Sequence, residues 1–167
     1  MIESARRATA GDLAVLTTLA ETAVAELRPQ RGGELWWRRE ARSGSAGEAL
    51  AALLDEPDAL VVVGTIDDVV VGYGIVRTEV LHDGTLLAVV DDLYVEPGAR
   101  EIGVGELVMD ELLAWATDRG CVGIDALALP GNRAAKNFFE RFGLTARAIV
   151  VHRRLPAGEA PAEEPGA

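Results

Sequence analysis

Apolar residues recur along this chain with two periods. Leu13, Leu16, Ala20, Ala23, Val24 and Leu27 fall three or four apart, which predicts an amphipathic helix over Asp12–Leu27. Thr9-x-x-Asp12 ahead of it resembles a capping box with Asp in place of Glu. Arg28-Pro29 ends it, because a residue before proline is pushed out of helical geometry. Ile2–Arg7 alternates weakly and predicts a first strand. After Gly32-Gly33, Glu34–Arg42 predicts a short helix carrying Trp36 and Trp37. Adjacent helical residues point about 100° apart, so one ring is expected inward and the other partly exposed. Both rings cover core or a dimer contact, or an exposed one near the acceptor cleft meets an amine through its π-face. Ser45-x-x-Glu48 is a capping box that opens a helix with Leu50, Leu53 and Leu54, closed by Glu56-Pro57.

The middle of the chain changes period. Ala59–Ile66 is a strongly apolar strand, and Asp67-Asp68 a hairpin turn. Val69–Leu81 is a second strand interrupted by Gly72 and Gly74. His82-Asp83-Gly84 turns into a third, Thr85–Glu96. Helical spacing returns at Val104–Arg119, with Val104, Leu107, Val108, Leu112 and Trp115 on one face and Gly120 as its cap. Val122–Leu129 predicts a strand broken by Pro130-Gly131. Asn132 caps a short helix with Ala135, Phe138, Phe139 and Phe142, closed by Gly143. Leu144–Leu155 predicts a last strand. From Pro156 the chain is Pro, Ala, Glu and Gly with nothing to bury, so residues 156–167 are expected to be a disordered tail. The order predicts one α/β domain over residues 1–155, with a single central sheet flanked by helices.

Composition narrows the function. Hydrophobic residues make up 49% of the 167, enough for a core. No apolar run reaches the ~20 residues of a membrane span, and the first residues lack a signal-peptide core. Cys121 is the only cysteine, which excludes an intrachain disulfide and a cysteine-built metal site. A cytoplasmic protein is expected. The net charge of −11 argues against nucleic acid or an anionic membrane as a partner. His82 and His152 are isolated and read as filler, and no metal is expected.

The stretch Val89–Glu106, VVDDLYVEPGAREIGVGE, carries the chemistry. It leaves an apolar strand bearing Asp91 and Asp92, turns at Pro97-Gly98, and enters a helix through Arg100, Gly103 and Gly105. A helix start has N–H groups without intrahelical partners and a partial positive charge. Glycines let a phosphate approach it, so this is a candidate anion cradle. It is neither a P-loop nor a dinucleotide fingerprint, because the lysine ending and the third glycine are missing. The negative net charge means that backbone must hold an anion here. Two adjacent carboxylates on a strand face opposite sides unless a bulge intervenes, so one of Asp91 and Asp92 is expected to reach the cleft.

A strand, a turn, Arg100-x-x-Gly103-x-Gly105 and an amphipathic helix resemble the acetyl-CoA pyrophosphate site of the GNAT superfamily of N-acetyltransferases. Asn132 to Gly143-Leu144 is similar to that superfamily's second motif, and Arg7–Asp12 to its first strand and helix. The resemblance covers roughly residues 1–155. It implies a GNAT-like acyl-CoA N-acyltransferase fold: a mixed, largely antiparallel central sheet splayed open at the acetyl-CoA site and flanked by helices. It implies acetyl-CoA as co-substrate, its pantetheine arm bonded to the backbone of Leu93, Tyr94 and Val95. Its pyrophosphate would sit at Arg100, Glu101, Ile102, Gly103, Val104, Gly105 and Glu106, with Asn132 and Phe139 also in contact.

The Asp-Asp-Leu-Tyr-Val string is similar to that of the polyamine acetyltransferase branch. This implies Asp91 as base, acting through water, and Asp92 as amine binder. The acceptor is a small-molecule amine or a protein amino group. Its site is expected between Leu27 and Glu56, and a homodimer is the common symmetric outcome. Two departures matter. Phe139 stands where many members have a tyrosine that protonates the CoA thiolate, leaving water or Tyr94 as substitute. Glu101 stands where the family has glycine. Both departures also suit an acyl-CoA-binding sensor with little catalysis, or a domain that has lost the cofactor.

Overall fold

The protein is described over residues 1–156 by a computed structural model. Strand β1 (Glu3–Arg7) leads through a short 3-10 turn into α1 (Leu13–Leu27), α2 (Gly33–Arg39) and α3 (Ala46–Leu54). A meander follows: β2 (Ala59–Ile66), β3 (Val69–Val80) and β4 (Leu86–Val95). Then come α4 (Val104–Asp118), β5 (Gly123–Ala126) and α5 (Arg133–Arg141). The strands form one sheet in sequence order, antiparallel except for the parallel β4–β5 pair. The expected mixed, largely antiparallel α/β fold is therefore the observed one.

Local chemistry explains the turns. Asp67 and Asp68 both adopt left-handed φ, 47° and 66°, as a two-residue hairpin of matching twist requires, and Asp tolerates this better than most residues. The capping box at α1 forms: the Thr9 N–H donates to the Asp12 carboxylate at 2.8 Å. Arg6 grips the same carboxylate with two hydrogen bonds, and together these contacts hold Asp12 down to a pKa of about 2.

Each sheet face has its own core. On one, Val61, Val63, Tyr73, Ile75 and Tyr94 pack under Leu16, Leu19 and Ala23 of α1 and Leu50 of α3. On the other, Val62, Val76, Ala88 and Val90 pack under Val108, Met109 and Leu112 of α4 and Phe139 of α5. Each fully buried aliphatic side chain contributes ~1.5–3 kcal/mol, so α4 is anchored along its whole apolar stripe. It lies unusually close to the sheet. A Cβ on Gly64 would stand 2.5 Å from a Val104 methyl, and one on Gly74 2.6 Å from a Val108 methyl. The glycines that interrupt the strand pattern are thus the seat of α4, and they fix where its N-terminus points.

The sequence expectation fails in one place. Leu144–Leu155 does not form a last strand; these residues are without regular structure. Val122–Leu129 contracts to the four residues of β5. An apolar run signals a strand, but it forms one only where a partner edge lies in register. Of the expected tail, residues 157–167 lie outside the described residues.

Candidate active site

The sheet opens between β4 and β5. β5 pairs with β4 only from Leu87 to Val90, whereas β4 continues to Val95 against β3. Over residues 91–95 the main-chain groups on the β5 side meet no strand, and buried amides require partners. This free edge contains Leu93, Tyr94 and Val95.

Beyond it the chain makes a short 3-10 turn, Pro97–Ala99, and passes through two left-handed residues, Glu101 at φ 66° and Gly103 at φ 100°. The N–H groups of Ile102 to Glu106 donate to no acceptor among the described residues. A Cβ on Gly103 would meet nothing within 4 Å, so the cradle is open to solvent. Gly105 is closed in instead, with Phe138 of α5 at 3.4 Å from a would-be Cβ. Val104 is buried beneath the turn and Ile102 stands 37% exposed at its rim. A five-amide concavity at a helix start suits a diphosphate, and free strand amides beside it suit an amide-bearing arm. The residues present therefore fit CoA.

The side chains around the cradle are committed elsewhere. The Arg100 guanidinium donates to the Val95 carbonyl at 2.7 Å and to both oxygens of Glu26 on α1, and its N–H donates to the Pro97 carbonyl, so this residue leaves the cradle to the amides that follow it. Glu106 accepts from Arg141 at 3.1 Å, which offsets one carboxylate at the helix start. The Glu101 side chain points into solvent. Asn132 caps α5, its Oδ1 accepting from the Ala135 N–H at 3.1 Å.

Asp91 and Asp92 sit at the point where the sheet opens. Ile75 pairs with Asp92 and Val76 with Val90, so Asp91 is the extra residue of a β-bulge. The bulge sets aside the rule that adjacent strand residues face apart, and the charges of both aspartates act on Arg42. Asp92 is held by both Arg42 nitrogens, one at 2.8 Å, and accepts from the Tyr73 hydroxyl at 2.7 Å. Burial and then the Asp92 charge push the Tyr73 hydroxyl well above its ordinary pKa, so it remains a donor. Burial opposes the Arg42 charge, yet the Asp92 partnership outweighs it and leaves the guanidinium pKa raised. Asp91 meets Arg77 at 3.0 Å; burial raises its pKa despite the lowering effect of Arg77 and Arg42.

Above Arg42 lies a cavity of about 390 Å³ lined by Trp37, Arg38, Arg42, Ser43 and Gly44. It falls within the expected acceptor region. Trp36 is half-buried and Trp37 is 39% exposed, as adjacent helical positions imply, but the Trp37 face is already covered by the Arg28 guanidinium at 3.6 Å.

The two candidate proton donors differ. Phe139 is buried in the α4–α5 core and offers no proton. Tyr94 faces the other side of the sheet, its buried hydroxyl without a partner and its pKa raised by that burial. Sequence reasoning missed Arg42, Tyr73 and Glu26. Tyr73 had a faint signal, a lone aromatic between two strand glycines; Arg42 and Glu26 had none, since their partners lie 50 and 74 residues away. Among the described residues, no cluster of three or more His, Cys, Asp or Glu is placed to hold a metal, and no helix is long and apolar enough to cross a membrane.

A sheet opened at one strand, free strand amides and a glycine-bearing helix start together have the geometry to receive an acyl carrier. The acetyltransferase (GNAT) family model matches residues 18–144, and the chain belongs to that family. Solved structures share the fold. The aminoglycoside N-acetyltransferase AAC(6')-Iy, bound to a CoA bisubstrate analogue, aligns at TM-score 0.73 and 15% identity over 93% of this chain and 99% of its own. A mutant protein of Bacillus halodurans aligns at 0.74 and 18%, covering 93% and 99%. An aminoglycoside acetyltransferase from an uncultured soil metagenomic sample aligns at 0.67 and 18%, again over 93% and 99%. No curated protein matches the chain.

Proposed function

We propose that residues 1–155 form an acetyl-CoA-dependent N-acetyltransferase acting on a small amine with one ammonium group. The observation that carries this reading is the junction at Asp91: the free strand edge leads to the amide cradle on one side and to paired carboxylates on the other. Acetyl-CoA supplies an activated thioester. The protein supplies placement and proton transfer. Leu93 to Val95 align the pantetheine arm, and the amides of Ile102 to Glu106 hold the diphosphate. Asp91 takes the proton from the acceptor ammonium, directly or through water, and its raised pKa brings it closer to the pH at which an amine must be deprotonated. Asp92, fixed by Arg42 and Tyr73, orients the acceptor. Tyr94 retains its proton, but its hydroxyl is buried under α1, so water supplies the proton to the departing thiolate, the role Phe139 lacks.

The choice of a monoamine rests on charge. Asp91 and Asp92 each already face an arginine, so the cleft floor is near neutral and a polycation finds no unpaired carboxylate there. The test is thiol release from acetyl-CoA with a panel of monoamines, amino acids, polyamines and aminoglycosides. Turnover confined to single-ammonium acceptors is expected; preference for polyamines or aminoglycosides would overturn the acceptor class. One observation favours the acyl-CoA sensor instead, namely that Arg42 occupies Asp92. That reading predicts calorimetric CoA binding with no thiol release on any amine.

A further inference from the structure

The cavity above Arg42 is walled by hydrogen-bond donors. The indole of Trp37 and the guanidiniums of Arg38 and Arg42 can only donate, and the Ser43 hydroxyl can donate as well. No carboxylate lines it, although the chain as a whole carries a net charge of −11. Several of these donors are unspent among the described residues. Arg38 approaches only Glu34, at 3.5 Å, and Glu34 already accepts two hydrogen bonds from Arg28, at 2.8 and 3.1 Å. Arg42 commits both terminal nitrogens to Asp92, which leaves its Nε–H. The N–H groups of Ser43 and Gly44 donate to no main-chain acceptor. Gly44 has φ 79°, and a Cβ there would meet nothing within 4 Å, so this side of the cavity is open.

The charge on this wall does not balance. Arg28, Arg38 and Arg42 face only Glu34 and Asp92, so one positive charge is unmatched. A single unmatched cation complements a carboxylate better than a phosphate dianion. The volume, about 390 Å³, lies within the range of small-molecule sites, roughly 300–1,000 Å³. Arg42 joins the cavity to the carboxylate pair: it lines the one and grips Asp92, the neighbour of Asp91. One small molecule can therefore present an amine to Asp91 and an anion to Arg38.

We infer that this cavity is a carboxylate subsite with Arg38 as its anchor, and that the amine it serves is an amino acid. Arg38 is the residue that sets the specificity, because Arg42 is held by Asp92 and Arg38 has no such partner. A guanidinium fork matches a carboxylate with two parallel hydrogen bonds, which an uncharged amide or a bare alkyl amine cannot return. The placing of the amino group at Asp91 rests on the acetyl-transfer reading. The carboxylate subsite rests on the cavity alone.

Two measurements on the full chain test this. The first is calorimetric binding of N-acetylglycine and N-acetylleucine, their carboxamides, and N-acetylphosphoethanolamine, none of which requires turnover. The two acids are expected to bind at least tenfold more tightly than their carboxamides. Arg38→Gln should abolish that difference and Arg38→Lys should keep most of it; the side chain is 48% exposed, so neither substitution disturbs the core. The second is thiol release from acetyl-CoA with glycine and leucine against methylamine and isoamylamine. The ratio of kcat/KM for acid over matched amine should fall at least tenfold in Arg38→Gln. Equal affinity for acid and carboxamide, an Arg38→Gln variant that binds the acids as the parent does, or tighter binding of the phosphate probe would each overturn the proposal. Arg38-dependent binding of the acids without thiol release on any amine would uphold the carboxylate subsite and overturn the acetyl-transfer reading instead.

Discussion

From Asp91 to Glu106 the cleft offers main chain: a strand edge without a neighbour and the free N–H groups of a helix start. From Trp37 to Gly44, with Asp92 and Tyr73 beneath, it offers side chains: an indole, two arginines and a carboxylate held by three hydrogen bonds. The two regions meet at one β-bulge. The first is suited to a carrier that is always the same and can be read by backbone. The second is suited to an acceptor that differs between relatives, since one substitution alters its charge without disturbing the sheet. This contrast is sharpest if acceptor-side changes alter turnover or stability and leave CoA affinity alone, while cradle changes do the reverse.

The largest effect is expected at Asp91. Replacing a general base lowers the rate roughly 10²–10⁴-fold. Asp91→Asn should therefore reduce kcat/KM by at least a hundredfold and leave the calorimetric CoA affinity within about twofold, since no cradle amide is touched. The pH profile supplies the sign. Burial raises the Asp91 pKa, so the acidic limb of the rate should rise with pH around a midpoint higher than that of an ordinary aspartate, and this limb should vanish in the variant. A variant as active as the parent would remove Asp91 from the mechanism.

Next comes the cradle. Gly103 has φ 100°, which a β-branched residue scarcely adopts, and it lies within the run of free amides. Gly103→Val should weaken CoA binding by about two orders of magnitude, comparable to losing one or two hydrogen bonds to charged groups. Arg100→Ala is the control that separates backbone from side chain. Its guanidinium serves Glu26 and Val95, an exposed pair worth ~0–1 kcal/mol, so CoA affinity should change less than threefold. If Arg100→Ala weakens CoA more than Gly103→Val does, the backbone account of this half is wrong.

Arg42 tests the other half through stability. Removing it leaves Asp92 at 17% side-chain exposure without its cation. Breaking a buried pair costs ~3–5 kcal/mol, and Arg42 is itself 26% exposed, so Arg42→Ala should destabilise by about 2–3 kcal/mol in denaturant unfolding. Arg42→Lys keeps the charge and loses the two-pronged geometry, and should recover roughly half. No loss in Arg42→Ala would mean that the α2–α3 loop is not tied to β4.

These regions also differ in how far the sequence disclosed them. The cradle was legible because its requirements are local: two glycines, a turn and a helix period within eighteen residues. The three-strand meander was legible for the same reason, each hairpin being closed by adjacent turn residues. Arg42 on Asp92 was not, because the pair joins positions fifty residues apart and a lone arginine after a helix has no pattern. The β-bulge was hidden too: Val-Val-Asp-Asp-Leu-Tyr-Val alternates no worse than many regular strands, and only the pairing of Ile75 and Val76 across it shows the extra residue. The segment 144–155 misled in the opposite sense. Its residues favour a strand, but propensity says nothing about whether the same chain supplies an edge.

Glu101 gives the smallest and most two-sided effect, and it lies in the turn that forms the cradle. Its φ of 66° is left-handed, the conformation that makes glycine the fitting residue at this turn. Holding a non-glycine residue there costs about 1–2 kcal/mol. Glu101→Gly removes that strain but adds the entropy of a freer unfolded chain, worth about 0.5–1 kcal/mol. A net stabilisation of about 0.5–1 kcal/mol should therefore appear in denaturant unfolding. The substitution also removes a carboxylate from the mouth of an anion cradle. At low salt the CoA affinity should rise about two- to threefold, and the gain should shrink as salt screens the charge. If stability rises while CoA affinity stays fixed at every salt concentration, the diphosphate does not sit at this turn, and the main-chain half of the cleft must be placed elsewhere along β4.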